Sequence, residues 1–168
     1  MLADFEKIGV RPTSDMVRES IFNILSFRIF GASFLDLFSG TGAMGIEALS
    51  RGASKVTFND SSRESIKLIK KNLEKLKVTD PYEVLCLDAI TLLKRGQAEY
   101  DIIYIDPPYA CDFLPEVLSA VENSLSADGI AIVENDKPLD IAVKGLTAFD
   151  KRKYGRAHLT FYRREERQ

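Results

Sequence analysis

From Ser33 onward, short runs of β-branched and aliphatic residues alternate with longer amphipathic stretches, and this alternation most constrains the fold. It is typical of a parallel sheet whose strands are joined by crossover helices. Five strands are predicted, at 34–38, 55–59, 83–87, 101–105 and 129–134. The helices between them are predicted at about 43–51, at 62–76, from near 89, and at about 112–125. The sequence therefore predicts an open, doubly wound α/β sheet.

Two of the predicted helices have a clear apolar side. In the helix at 62–76, the apolar side chains recur every three or four residues, and they are Ile66, Ile69, Leu73 and Leu76. Before the first strand, Pro12-Thr13-Ser14-Asp15 is typical of a helix cap. The helix that follows this cap is predicted to carry Met16, Val17, Ile21, Ile24 and Leu25 on one side. Both helices should therefore pack against the sheet by these faces.

After the fifth strand the alternation stops, and two further strands at 144–153 and 157–162 are joined by a tight turn at 154–156. With no helix between them, they should pair antiparallel. The expected architecture is a single α/β domain over 1–168, with a cap and helix segment over 1–30. Its Rossmann-like sheet should have seven strands, mixed in direction with the last strand antiparallel, and helices on both faces.

Composition excludes several classes of protein. The 168 residues are 45% hydrophobic and 29% charged, which is the balance of one globular domain. Cys86 and Cys111 show no zinc-ligand spacing and His158 is the one histidine, so no metal site and no histidine-based triad are expected. Neither a signal peptide nor an apolar run of about 20 residues is present. We therefore expect a soluble cytoplasmic protein without a membrane partner.

A glycine-rich segment follows the first strand. Gly40-Thr41-Gly42-Ala43-Met44-Gly45 has the GxGxxG pattern, and Asp60 ends the second strand 20 residues after Gly40. This arrangement is the fingerprint of a nucleotide site, in which unpaired N–H groups of the loop and helix face an anion and the acid accepts ribose hydroxyls. The alternative is a glycine turn that only packs the helix on the sheet.

Four aspartates help to choose between nucleotide cofactors. Asp36, Asp60, Asp88 and Asp106 lie at or near the ends of the first four strands, which should converge on one crevice. The pyrophosphate of a dinucleotide would be repelled there, whereas S-adenosylmethionine brings an ammonium and a sulfonium. The charge pattern therefore favours S-adenosylmethionine. Two alternatives stay open: Asp36 as a buried turn residue, and Asp88 as the cap of the helix that begins near 89.

The segment Asp106-Pro107-Pro108-Tyr109 follows the apolar fourth strand. The two prolines fix the turn and remove N–H donors, which leaves carbonyl acceptors in a rigid segment. If Asp106 and the Pro107 carbonyl each accept a hydrogen bond from an exocyclic amine, its lone pair is directed at a methyl group. Tyr109 would stack on the base, for about 1 to 3 kcal/mol. This segment predicts methylation of a base amino group.

With these motifs, the chain resembles the class I, Rossmann-like methyltransferases that modify amino groups of nucleic acid bases. It is more closely similar to the bacterial 16S ribosomal RNA guanine-N2 methyltransferases of the RsmD type. The similarity spans about 11–162, and its motifs are RPTSDMVRESIFN at 11–23, LDLFSGTGA at 35–43, EALSRGA at 47–53 and DPPY at 106–109. The first of these motifs is much more specific than the glycine loop.

The resemblance implies transfer of a methyl group from S-adenosylmethionine to N2 of one guanine in 16S rRNA, with S-adenosylhomocysteine as product. Naked rRNA or a small-subunit assembly intermediate would be the partner, and a monomer is expected. Asp106, Pro107, Pro108 and Tyr109 would hold the target amine. The cofactor would be held by Arg11, Thr13, Asp36, Phe38, Ser39, Gly40, Thr41, Gly42, Asp60, Ser61, Asp88 and Ala89. Family members usually begin with a basic hairpin, whereas only Met1–Val10 precedes Arg11 here; a truncated start and a smaller RNA-binding surface are both open.

A basic segment near the end of the chain suggests an RNA contact. Residues 151–168 hold seven Lys or Arg against two Glu, although the whole chain has a net charge of −2. The candidate RNA-binding residues are Arg18, Lys151, Arg152, Lys153 and Arg156. A solvated edge strand is the alternative for the hairpin. The other functions that stay open are a DNA adenine-N6 or cytosine-N4 methyltransferase, a dinucleotide-dependent oxidoreductase and a non-catalytic nucleotide-binding module.

Overall fold

The structure, a computed structural model, describes residues 14–108 and 111–166. No helix in these two stretches is long and apolar enough to cross a membrane. Within them, the elements in chain order are α1 (Asp15–Ile24), β1 (Ser33–Asp36), α2 (Ala43–Ser50), β2 (Lys55–Asn59), α3 (Arg63–Lys75), β3 (Tyr82–Leu85), α4 (Ala89–Arg95), β4 (Tyr100–Ile105), α5 (Leu114–Val121), β5 (Leu125–Asn135), β6 (Leu146–Tyr154) and β7 (Ala157–Arg164).

The described strands form one seven-stranded sheet in the order β3-β2-β1-β4-β5-β7-β6. Strands β1 to β5 pair in parallel, whereas β7 is antiparallel to both β5 and β6. The predicted mixed sheet with its last strand antiparallel is therefore confirmed. The order reverses between β1 and β4, and in open α/β sheets ligands bind at this reversal, outside the carboxyl ends of the strands.

Helices cover both faces of the sheet, as the alternating pattern predicted. Successive residues of a strand point to opposite faces, so Phe34 packs with α1 and α2 while Leu35 packs with α4 and α5. The same division holds in β4, where Tyr104 belongs to the first cluster and Ile103 to the second. These central strands are buried on both faces, and they give the carboxyl ends of the strands a rigid base.

Three helices begin at side-chain caps, α1 at Ser14, α3 at Ser62 and α4 at Asp88. Ser14 Oγ accepts the Val17 N–H at 3.3 Å before α1, and Ser62 Oγ accepts the Ser65 N–H at 3.3 Å before α3. Such a cap is worth about 1 kcal/mol because it satisfies an otherwise unpaired donor. The serine predicted near the start of the chain thus fixes where α1 begins.

Several predicted boundaries shift. The helix predicted to reach 125 ends at Val121, because Leu125 already pairs with Tyr100 and begins a β5 that is longer than predicted. Strands β1 and β3 end two residues earlier than predicted. In both cases the chain leaves the sheet at the edge where the glycine loop and α4 begin.

Two predictions about apolar faces are wrong. Met16 is 56% exposed and Leu76 is 52% exposed, although both were expected to face the core. Leu76 follows the last residue of α3 as its C-cap, so the helical repeat no longer directs it to the sheet. Met16 lies in the first turn of α1, where the helix borders an open cavity instead of the core.

Candidate active site

The carboxyl ends of β1, β2, β4 and β5 open onto one cavity of about 960 Å³. This is the edge of the sheet where the strand order reverses, and the volume lies in the range of small-molecule sites. The four aspartates singled out in the sequence all line it: Asp36, Asp60, Asp88 and Asp106. The glycine loop and the double-proline turn therefore border the same space.

The glycine loop is held in place by the acid that follows β2. Asp60 Oδ2 accepts the Gly40 N–H at 3.0 Å, and its Oδ1 accepts the Ser62 N–H at 2.9 Å. Gly42 has a φ of +82°, and a Cβ there would lie 3.3 Å from the Phe58 ring. The position thus needs glycine for its backbone, and among the predicted cofactor residues described by the structure it alone does not line the cavity.

The loop N–H groups are less available than the sequence suggested. Those of Ser39, Gly42 and Ala43 are donated to Asn59 O, Ser39 O and Thr41 Oγ1. The Gly45 N–H is donated to Asp36 Oδ2 at 3.1 Å. The expectation that these four amides face an anion is wrong, because each donates to the loop itself or to Asn59 or Asp36 at the ends of the neighbouring strands. The loop therefore contributes mainly shape and backbone proximity to the cavity.

Asp36 is the most perturbed carboxyl group of the site. It is 1% exposed, and burial raises its pKa to about 7, against the lowering effect of the Gly45 N–H and Ser39 hydrogen bonds. The nearby Asp60 charge raises it further. The interpretation of Asp36 as a buried structural residue is confirmed, because it braces α2; it also lines the cavity, and its contact with the cofactor stays a prediction.

Asp88 caps a helix and also lines the cavity. Its Oδ1 accepts the Thr91 N–H at 3.0 Å, so it caps α4 as the structural alternative proposed. It is exposed and lines the cavity together with Ala89. The remaining described cofactor candidates at the cavity are Phe38, Ser39, Gly40, Thr41 and Ser61. Arg11, Thr13 and Tyr109, also predicted for the site, lie outside the described residues.

On the other side of the cavity, Asp106 and Pro107 are partly buried and Pro108 is exposed, directly after β4. The neighbouring strand β5 brings Glu134 to the same cavity, where its carboxylate accepts a hydrogen bond from the Tyr104 hydroxyl. Neither Glu134 nor Tyr104 was predicted from the sequence to belong to the site. Glu134 had a usable signal, since it is the first charged residue after the apolar run at 130–133.

The candidate RNA-binding residues divide into those that approach a carboxylate of the described residues and those that do not. The turn of the β6–β7 hairpin reaches the cavity through Tyr154, Gly155 and Arg156. On the same hairpin, Arg152 pairs with Asp150 at 3.0 Å and Lys151 approaches Asp140 at 3.9 Å. Arg18 lies on α1 and is held by Asp15 at 2.8 Å and by Glu47 at 3.9 Å. Within 14–108 and 111–166, no carboxylate forms an ion pair with Lys153 or Arg156.

Charge at the cavity strongly favours a cationic ligand. Among the described residues that line it, the cationic side chains are Lys137 and Arg156, whereas the carboxylates are Asp36, Asp60, Asp88, Asp106, Asp112, Glu134 and Asp136. Moving a pyrophosphate into such a site would be opposed at the low effective dielectric of a cavity. The residues present therefore fit a ligand with ammonium and sulfonium groups.

The fold and this cavity define a class I methyltransferase, the class whose methyl donor is S-adenosylmethionine. The chain belongs to the family described as Conserved hypothetical protein 95, whose model matches residues 2–163.

Relatives of the chain carry consistent names. It is 34% identical to the "Putative rRNA methyltransferase YlbH" of Bacillus subtilis, over 93% of this chain and 89% of that protein. It is 37% identical to the "Ribosomal RNA small subunit methyltransferase D" of Haemophilus influenzae, over 78% and 72%. Among solved structures, the "Putative methyltransferase yhhF" of Escherichia coli superposes with a TM-score of 0.83 at 30% identity, over 94% and 91% of the two chains.

Proposed function

We propose that this protein transfers a methyl group from S-adenosylmethionine to the exocyclic N2 of a guanine in 16S rRNA. The observation that carries the proposal is the position of Asp106-Pro107-Pro108, which lines the same acidic cavity as the glycine loop. The names of the relatives above support an rRNA substrate for this chain. We also propose that it works in the cytoplasm, as a monomer, on naked rRNA or a small-subunit assembly intermediate.

In this proposal, the wall formed by β1, β2 and the loops after them holds the methyl donor. Asp60 and Ser61 lie beside the ribose, Asp88 and Ala89 beside the adenine, and the segment 38–42 beside the methionine part. Arg11 and Thr13 are proposed to complete this side. Because Asp36 lies beneath the glycine loop, its carboxylate lowers the electrostatic cost of bringing cationic groups to the cavity.

The double-proline turn is proposed to hold the guanine. A guanine amino group is a poor nucleophile because its lone pair is delocalised into the ring. Asp106 and the Pro107 carbonyl each accept one N2–H, which directs the lone pair at the donor methyl and stabilises the positive charge that develops on N2. Tyr109 supplies a stacking surface for the base, and the N2 proton passes to Asp106 or to water. S-adenosylmethionine supplies the methyl carbon on its sulfonium and departs as neutral S-adenosylhomocysteine.

The hairpin turn is proposed to contact the RNA backbone. Lys151, Arg152, Lys153 and Arg156 are exposed on β6 and its turn, and Arg156 lies at the cavity itself. Phosphate contacts of this kind supply much of nucleic-acid affinity. Arg18 is retained as a candidate, but its pairing with Asp15 means that an RNA phosphate would have to compete with a carboxylate.

The test is methyl transfer with tritiated S-adenosylmethionine into naked 16S rRNA, into small ribosomal subunits and into duplex DNA, followed by nucleoside analysis of the labelled base. We expect N2-methylguanosine at one position of the rRNA. Label in N6-methyladenine or N4-methylcytosine of DNA would instead support the alternative methyltransferase. Calorimetry with S-adenosylhomocysteine and NADH provides the second test, and preferential binding of NADH would contradict the proposal.

A further inference from the structure

Tyr104, which is buried, and Glu134, which is partly buried, form a polar pair that the proposed transfer step leaves unused. The Tyr104 hydroxyl donates a hydrogen bond to Glu134 Oε2, and both residues line the cavity. Tyr104 is 1% exposed and packs in the core between the sheet and the first three helices. The tyrosine therefore orients the glutamate from a rigid position.

The register of the sheet brings Glu134 beside Asp106. Ile105 of β4 pairs with Val133 of β5, so Asp106 and Glu134 each follow the same paired position. Neighbouring strands lie about 4.8 Å apart. Two carboxylates that follow adjacent strands at matched positions thus border the part of the cavity where the target base is proposed to lie.

The chemistry of the bases distinguishes what a second carboxylate would accept. In guanine, the amino-bearing carbon lies between two ring nitrogens: N1–H, which is a donor, and N3, which carries a lone pair. In adenine and cytosine, the ring nitrogen next to the amino group carries a lone pair and no hydrogen. A carboxylate at this position attracts the N1–H of guanine and repels the ring-nitrogen lone pairs of adenine and cytosine.

We propose that Glu134, oriented by Tyr104, accepts the N1–H of the target guanine and so makes the site selective for guanine over other amino-bearing bases. This inference rests on the proposed function and names the side chain that gives the proposed methyltransferase its preference for guanine. A carboxylate has about four acceptor positions, so it can accept the Tyr104 hydroxyl and a further donor at the same time. Glu134 is a specificity residue in this account, whereas Asp106 holds the reacting amine.

The test uses 2-aminopurine, which keeps the amino group at C2 but has a lone pair at N1. Two small-subunit rRNAs are compared as substrates, one with guanine and one with 2-aminopurine at the modified position. Each is offered to the wild-type protein and to Glu134→Gln. The rRNA is used naked or within the subunit, in whichever form the wild type methylates. A site built around a hydrogen bond rejects the analogue strongly, so we expect wild-type kcat/KM to favour guanine by about 100-fold or more. The amide N–H of Glu134→Gln can donate to N1, so the preference should fall to about 10-fold or less.

A purely structural role would lower activity on both bases equally and leave their ratio unchanged, and that result would overturn the inference. Tyr104→Phe should reduce the preference by a smaller factor, since the carboxylate remains but loses its orienting donor. Glu99→Gln, an exposed site before β4, is the matched control and should keep the wild-type ratio. Failure of the wild type to methylate guanine at all would contradict the proposed function itself, and binding of S-adenosylhomocysteine to each variant reports folding.

Discussion

Asp60 Oδ2 accepts the backbone N–H of Gly40 at 3.0 Å, although the two residues are 20 positions apart in the chain. The same carboxylate lines the cavity and receives the Ser62 N–H on its other oxygen. One side chain therefore fixes the glycine loop after β1, holds the turn before α3 and lines the cavity. Asp60, the acid of the predicted nucleotide fingerprint, therefore stabilises two backbone segments in addition to its proposed contact with the ribose.

Asp60→Ala should weaken the binding of S-adenosylhomocysteine by more than 10-fold, because a charge-assisted hydrogen bond to a ligand is worth about 1.5 to 3 kcal/mol. Loss of the two backbone hydrogen bonds should also lower the free energy of unfolding by about 1 to 3 kcal/mol. Calorimetry and urea denaturation measure the two effects. The exposed Asp80, outside the cavity lining, offers the control Asp80→Ala, and equal affinity in both variants would contradict the role of Asp60.

Asp106→Ala should keep the affinity for S-adenosylhomocysteine and lose methyl transfer by about 100-fold or more, as when one positioned hydrogen-bond partner of a transition state is removed. Tritium incorporation into rRNA and calorimetry separate these effects. Asp112→Ala removes another carboxylate that lines the same cavity, and it should retain transfer within a few fold. If Asp106→Ala retained full activity, the amine-holding role would be excluded.

Gly45→Ala should destabilise the fold by about 1 to 3 kcal/mol, the usual cost of overpacking a core. An added Cβ at this buried position of α2 would overlap the Phe58 ring. Urea denaturation of Gly45→Ala, Phe58→Leu and the double variant measures the coupling between them. We expect the double variant to be more stable than the sum of the single effects allows, and simple additivity would mean that the ring moves aside.

The pKa of Asp36 gives a pH dependence of stability with a defined sign. Its folded pKa of about 7 lies above the ordinary value of 3.8, so the folded state binds the proton more tightly than the unfolded state does. The contribution of this proton to the free energy of unfolding is therefore lost as pH rises from about 4 to about 7. Relative to Asp36→Asn, the wild type should lose up to about 4 kcal/mol across this range. Urea denaturation of both proteins without ligand, at several pH values, measures the difference. A constant difference would show that Asp36 titrates normally.

Lys153→Ala combined with Arg156→Ala should weaken binding to 16S rRNA and reduce the salt dependence of the affinity. Each phosphate contact contributes about 0.7 to 0.9 to the slope of log K against log salt concentration, so loss of two contacts should reduce the slope by about 1.4 to 1.8. Filter binding across a salt series measures it. Lys70→Ala combined with Lys71→Ala removes the same charge from the exposed face of α3 and should leave the slope unchanged. Equal slopes for the two double variants would place the RNA elsewhere.

The α/β pattern was predictable because its signals are local. The buried part of β4 is a continuous apolar run at 102–105, and Ser14 and Ser62 mark helix starts by a side chain that accepts a nearby N–H. The long β5 was not predictable, because its first residues are assigned to the sheet by pairing with Tyr100, a partner distant in sequence. The exposure of Met16 likewise depends on an opening between α1 and the hairpin turn.

At the site, the positions of the acids followed from topology, because parallel strands present their carboxyl ends at one edge. The state of the loop amides did not follow, since the GxGxxG pattern is silent on whether Asn59 and Asp36 take those donors. Glu134 was missed for a related reason. Its partner Tyr104 is in another strand, and only the register of β4 against β5 brings them together.

The placement of β7 between β5 and β6 bears on how the protein is made. Because β7 follows every other described element in the chain, β6 has no neighbour to pair with until residues 157–164 have been synthesised. The hairpin turn that supplies Tyr154 and Arg156 to the cavity depends on the same pairing. A nascent chain therefore contains the glycine loop and the double-proline turn before it contains β7, and the wall that the hairpin turn adds to the cavity should form only after residues 157–164 have been synthesised.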